Sequence, residues 1–435
     1  MKRSIISLFA ALIMIVQSVV PVFAVELKPD DMGQEQTEAR DVQSGTYENF
    51  EYEIAEGEVT ITNCEKSTKG DLVIPETIEG YPVTKIGEKA FVKCFYLNSV
   101  IMSSVREIST FAFSECISLV SVEMPNVQKI NEYAFISCHS LPSIELPNAE
   151  EIASSAFEEC VSLESVDMPN VKKVAGDSFL NTEWYDRLTD EFAVVGDGVL
   201  VKYCGKDTSV TVPDGIKCVA GFYGNNKIIS VDIPNAQAIG DCGLYGCRNL
   251  KSVEMPNVES IGRNGFCLCD DLVSVYMPNV QEIDAGAFDM CWELVSVEFG
   301  NVQVMGNSAF SECESLISVY FHSDAPTKFG ENVFERCAEG FMIYYAKGTQ
   351  GWTTPTWNGY KTQEFDPNQS IGDLNGDGKV NTADAVVVLK AAAGMITLDG
   401  TQTYVGDCNA DGTVNTADAV LILKYAAGII PDFSL

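Results

Sequence analysis

The sequence predicts a β-rich solenoid of 22-residue repeats, interrupted by a β-hairpin and closed by β caps, followed by a small α-helical module built on a duplicated loop. Three observations carry that prediction. Apolar residues recur at a fixed spacing through most of the chain, and a Gly-Asp-Gly step splits the recurrence. The same oxygen-rich stretch is also written twice near the C terminus, as GDLNGDGKVNTADAVVVLK from Gly372 and GDCNADGTVNTADAVLILK from Gly406.

Residues 1–24 read as a secretory signal peptide: Lys2 and Arg3, an apolar run from Ile5 to Val20, and a small-residue exit at Val22 and Ala24. The expected mature protein is secreted, extracellular or attached to a cell surface, with no membrane insertion after cleavage. Residues 25–44 are polar, charged and without apolar periodicity, and are expected to be a flexible acidic spacer. The formal net charge is −34, and cleavage removes two cations and no acid. Nucleic acid and anionic membrane surfaces are therefore poor partners. His139 and His322 are the two histidines and have no clustered partner in sequence, so surface or cap roles are expected for them.

The repeat fills residues 45–360. Its Ile column runs Ile86, Ile108, Ile130, Ile152, Val174 and resumes as Ile239, Ile261, Ile283, Met305. Its aromatic column runs Phe91, Phe113, Phe135, Phe157, Phe179 and resumes as Leu244, Phe266, Phe288, Phe310. One repeat cannot bury its own apolar edge, so neighbours stack into a continuous core. Within each unit the LxSVxM stretch alternates apolar and polar, which predicts a half-buried strand, and Pro-Asn ends it. About ten coils are expected at the ~4.8 Å strand spacing. Residues 192–203, FAVVGDGVLVKY, read as the interrupting hairpin. Trp352 and Trp357 are expected to pack in the C-terminal cap, with a sugar-binding tryptophan pair as the alternative.

Nine cysteines share one column: Cys94, Cys116, Cys138, Cys160, Cys247, Cys269, Cys291, Cys313 and Cys337. An inward column of small buried thiols is the expected reading, with bridging between adjacent members as the alternative. The outward face of the strands carries a serine column beside a mostly acidic one. The acidic column, Glu123, Glu145, Asp167, Asp232, Glu254 and Glu298, with Tyr276 and Tyr320 interspersed, is the proposed ligand face of the solenoid. Like charges on stacked strands are unfavourable. The column is therefore either a solvated negative surface or a docking face for a cationic partner or divalent ions.

In the first C-terminal loop Asp373, Asn375, Asp377, the Lys379 carbonyl, Asn381 and Asp384 occupy positions one, three, five, seven, nine and twelve, with Gly378 at six. The second loop repeats this with Asp407, Asn409, Asp411, the Thr413 carbonyl, Asn415 and Asp418, and Gly412 at six. This ordering turns alternate oxygens toward one hard cation, as in EF-hand loops, and predicts two Ca2+ ions. Position twelve is Asp where sensor loops carry Glu, and no helical periodicity precedes the first loop. The segment after each loop is rich in helix formers and stops at Gly394 or Gly428.

The recurring LxxVxMPNVxxIxxxAFxxCxxL grammar, over about residues 47–360, resembles the BspA-type leucine-rich repeat family. Loop plus exiting helix, twice over residues 371–431, resembles the type I dockerin family. The second resemblance implies a paired EF-hand-like fold and binding to a cohesin module of a scaffoldin in a cellulosome or similar surface assembly for polysaccharide catabolism. It assigns cohesin contact to Thr382, Ala383, Leu389 and Lys390, and to Thr416, Ala417, Leu423 and Lys424. The expected plan is a linker over 361–370 and the dockerin over 371–435. No catalytic residues stand out, because nearly all carboxylates belong to repeat columns or loops. The expectation is thus a non-enzymatic binding protein, with a polysaccharide-degrading enzyme or a free adhesin as the alternatives.

Overall fold

Two short parallel strands per repeat, where the alternation of the sequence predicts one, turn the column spacing into a coil. The computed structural model describes residues 42–433; the expected signal peptide and residues 25–41 of the expected spacer lie outside them. Ser143–Glu145 pairs in register with Ser165–Asp167, and after a turn Lys129–Ile130 pairs with Glu151–Ile152 in a second sheet. The alternation does not reveal this second strand, because two residues are too few to display a period.

Coils of equal length place like residues over like. Phe91, Phe113, Phe135, Phe157 and Phe179 stack with ring centroids 4.7, 5.1, 5.2 and 5.2 Å apart and planes nearly parallel. All five are buried, and each contributes roughly 1.5–3 kcal/mol of apolar burial. The cysteine column has a second use beyond filling space. Cys116, Cys138 and Cys160 Sγ donate to the carbonyls of Phe91, Phe113 and Phe135 at 3.2, 3.2 and 3.1 Å. Each of these carbonyls already accepts the backbone N–H of Cys94, Cys116 or Cys138 in its own coil, so the thiol adds a second donor that ties one coil to the next.

The body has about 14 turns, more than the ten or so expected, because the caps stack as coils too. Lys69–Val73 continues the N-terminal ladder against Tyr96–Ile101. At the other end Ser318–Phe321, Met342–Ala346 and Tyr360–Phe365 continue it in parallel. Trp352 and Trp357 pack against each other in that cap, centroids 4.6 Å apart. Gln43–Tyr47, which begins inside the expected spacer, pairs antiparallel with Phe50–Ala55. Tyr360–Phe365 likewise extends past position 360.

The hairpin Phe192–Val195 and Val199–Tyr203 turns through Gly196 and Gly198, both with positive φ. Just before it lies a short helix, α1 (Glu183–Asp186), capped by the Thr182 hydroxyl. The first sheet ends at Lys173–Val174, and the hairpin opens the next by pairing with Cys218–Val219. The two sheets meet tightly: a Cβ on Gly176 would lie 2.6 Å from the Ala220 carbonyl oxygen. Arg263 pairs with Glu132 across this junction at 3.1 Å. Burial there pushes the Asp241 carboxyl up to about 6, although Asp241 Oδ1 accepts the Arg263 backbone N–H at 2.9 Å.

Three further helices complete the chain: α2 (Thr382–Ala392), α3 (Gly400–Gly406) and α4 (Thr416–Ala426). Leu374, Ala385, Val388, Val405, Cys408, Ala419 and Ile422 form their small core. Among the described residues no helix is long and apolar enough to cross a membrane.

Candidate functional site

Each C-terminal loop is organised by its first and last carboxylates. Asp373 Oδ1 accepts the Gly376 and Asp377 N–H groups at 3.0 and 3.2 Å, and Oδ2 accepts Gly378 N–H at 2.9 Å. Asp384 closes the loop by accepting from Asn375 and Asn381 N–H at 3.0 and 2.9 Å. In the second copy Asp407 accepts from Asp411 and Gly412 N–H at 3.0 and 2.8 Å. Asp418 there accepts from Cys408, Asn409 and Asn415 N–H at 2.9, 3.3 and 2.8 Å. Gly378 and Gly412 both hold φ of 78°, the left-handed turn that position six requires.

Asp384 and Asp418 are fully buried and also complete capping boxes with Asn381 and Asn415, so each loop's last residue lies in the first turn of the next helix. The donors are carboxylate, amide and carbonyl oxygens, a set that fits a hard cation such as calcium. Among the described residues no group of three or more acidic, His or Cys side chains forms a metal cluster by itself. Burial pushes Asp407 up to about 7, and the Asp418 and Asp411 charges add to it against the Gly412 N–H. A divalent cation would relieve that concentration of charge.

The positions implied to contact cohesin, Thr382, Ala383, Leu389 and Lys390 with Thr416, Ala417, Leu423 and Lys424, are all exposed. Two residues that the family resemblance does not name join them. Val386 and Val420 are 46% and 49% exposed, beside Leu389 and Leu423 at 43% and 40%. Their signal is present in the sequence, since Ala383, Val386 and Leu389 recur at helical spacing.

On the strand face the acidic column stacks as its spacing requires. Asp167 lies opposite Glu145, Glu254 opposite Asp232, and Glu298 between Tyr276 and Tyr320. Glu123, Glu145, Asp167 and Glu254 are exposed, while Asp232 and Glu298 are half-buried. Tyr320 departs from the expected open face, being only 7% exposed. The helical module covers it: the Tyr404 ring of α3 packs on Tyr320 and Phe365 with centroids 5.2 and 4.6 Å away. Tyr404 OH donates to Glu298 Oε1 at 3.3 Å, and His322 Nε2 meets the same oxygen at 2.6 Å. Gly412 lies so close to the solenoid that a Cβ there would be 2.2 Å from Val295 Cγ1. A cleft of about 530 Å³ remains between the strand face and the module.

No curated protein matches the chain. Three similar solved structures are a leucine rich cell surface protein from Faecalibacterium prausnitzii, a leucine rich repeat protein from T. pallidum and the pneumococcal vaccine antigen PcpA. The first is 22% identical, with 64% of this chain and 94% of that one covered and a TM-score of 0.32. The second is 24% identical, covering 53% and 91%, with a TM-score of 0.28. The third is 18% identical, covering 70% and 94%, with a TM-score of 0.36. The model of the BspA type leucine rich repeat region matches residues 64–185 and 218–339 in six copies, and that of the type I dockerin domain matches residues 371–427. The two matched repeat segments flank the hairpin, and the dockerin match begins at the first calcium-type loop. Stacked columns, paired strands and duplicated loop thus meet in one assignment: the chain belongs to the BspA-type leucine-rich repeat family and carries a C-terminal type I dockerin domain.

Proposed function

We propose that this is an exported, non-catalytic binding protein that two calcium ions and a cohesin attach to a scaffoldin or other surface assembly. The solenoid's strand face serves as its ligand face. One observation carries the attachment half: two copies of one loop-and-helix unit each leave a Thr-Ala pair and a Val/Leu stripe exposed. Apolar side chains left open beside a small core are what a partner surface would cover. Asp373, Asn375, Asp377, Asn381 and Asp384, with the Lys379 carbonyl, would hold the first ion. Asp407, Asn409, Asp411, Asn415 and Asp418, with the Thr413 carbonyl, would hold the second. Type I dockerin domains bind calcium and imply a cohesin partner, and both matched families are binding modules.

Capture of the intact protein on immobilised cohesin modules, with calcium and with chelator, tests this. Capture that depends on calcium supports the reading, and capture by no cohesin would leave the module without its proposed role. Release of reducing sugar from plant polysaccharide by the purified protein would replace the non-catalytic reading with an enzymatic one.

A further inference from the structure

Tyr276 is the aromatic member of the strand-face column that stays open. It is 59% exposed, lines the cleft beneath the dockerin, and contributes nothing to the core, which Val275 and Met277 fill from the same strand. Glu298 stands opposite it in the parallel register, and Glu254 holds the same repeat position one coil earlier. Glu254 ends a separate sheet and lies outside the cleft, so the carboxylates that line the cleft with Tyr276 are Glu298 and, from the second loop, Asp407. Glu298 is also held in place: the bonds from His322 and Tyr404 both fall on Oε1, and Oε2 takes part in neither.

An open tyrosine face edged by carboxylates matches a flat cation. A guanidinium stacks on an aromatic face while its N–H groups reach carboxylates in its own plane, whereas an ammonium is compact and strongly hydrated. The chain's formal charge of −34 favours a basic partner over an acidic one. A cleft of about 530 Å³ admits a side chain and not a folded domain. We propose that this cleft is an arginine subsite, taking the guanidinium of a basic protein segment stacked on Tyr276 beside Glu298. The proposal rests on the reading of the strand face as a ligand face and narrows the partner to an arginine-bearing loop or tail.

The test uses the full chain in calcium at about physiological ionic strength, where weak surface attraction is screened. Fluorescent hexa-arginine and hexa-lysine are titrated in parallel. Hexa-arginine should bind about threefold to fivefold tighter. Tyr276→Ala should erase that preference, Tyr276→Phe should keep it, and Glu298→Gln should reduce it, with circular dichroism and cohesin capture unchanged. Equal binding of the two peptides, or a preference that survives Tyr276→Ala, would overturn the proposal and leave bulk charge as the cause. So would binding of neutral cellohexaose that is lost in Tyr276→Ala without any arginine preference. If Tyr276→Ala is silent while reversal of Glu123, Glu145 and Asp167 to lysine abolishes peptide binding, the strand face remains the ligand face and the subsite alone is wrong. If neither acts, both readings fall.

Discussion

Two residues after each member of the aromatic column, the backbone enters the left-handed region. Glu115, Ser137 and Glu159 sit there at φ of 57°, 60° and 59°, while Gly224 and Gly246 hold the equivalent place at 65° and 69°. A side chain with a Cβ is strained in that conformation. Glu115→Gly should therefore stabilise the protein by roughly 1 kcal/mol, read as a higher urea midpoint. The Lys93–Glu115 pair it removes, 3.4 Å long and at the surface, is worth little. A lowered midpoint would show that this pair outweighs the strain. Asp241 gives a second test, this time against pH. Burial raises its folded carboxyl to about 6 from an ordinary value of 3.8, so between those values the folded state binds more proton than the unfolded chain. Stability then falls as pH rises through that window and stays reduced above it. Asp241→Asn keeps an oxygen acceptor for the Arg263 N–H and removes the charge. Its thermal midpoint should exceed that of the wild type at pH 7.5, by a gain of at most about 3 kcal/mol, and match it near pH 4. An equal gain at both values would point to packing instead.

The elements differ in what holds them. A solenoid strand is held by aromatic stacking and neighbouring coils, whereas α2 and α4 rest on seven buried side chains and on loops that concentrate carboxylates. So small a core does little to offset that repulsion. Chelation of the full chain should therefore release amide protection across residues 373–392 and 407–426 by at least an order of magnitude, with the solenoid amides little changed. Hydrogen exchange followed by mass spectrometry reads both regions at once, and equal protection with and without calcium would remove the metal from the folding of the module. The same contrast explains what could be read from the residues alone. Columns such as Phe113 and Cys138 announce themselves because a coil repeats its environment, and the loops do so because oxygen geometry restricts residue type. The two-residue Ile-column strands do not, being shorter than one period. Nor does the burial of Tyr320, whose cover comes from Tyr404 in another domain, through a contact that no local pattern encodes.

At the scale of the whole molecule, the solenoid makes the two dockerin copies unequal. Their proposed contact residues are the same in kind, so in isolation either copy could face a cohesin, and losing one of two equal modes costs only RT ln 2, about 0.4 kcal/mol. In the full chain the second loop leans on the solenoid, with Gly412 against Val295. A cohesin seated mainly on Thr416 and Ala417 would approach on that side. Changing Thr382 and Ala383 to arginine should then weaken cohesin binding about tenfold or more, about 1.4 kcal/mol, while the same change at Thr416 and Ala417 leaves it near wild type. Calorimetry on the intact protein separates these outcomes, and equal effects from the two pairs would mean that the solenoid exerts no bias.

The Tyr404 contact also has a mechanical meaning. Load applied through a bound cohesin reaches the solenoid at its last strand, Tyr360–Phe365, and a stack in which each coil touches only its neighbours would peel from that end, one coil at a time. Tyr404 touches Phe365 and Tyr320 and bonds to Glu298, residues of three separate strands. It therefore works as a rivet, and the terminal coils must tear as one piece before any can unwind. In single-molecule pulling through the cohesin, Tyr404→Ala should replace one high initial rupture with a series of smaller ones. A first rupture of unchanged force would mean that the end coils bear tension without the rivet.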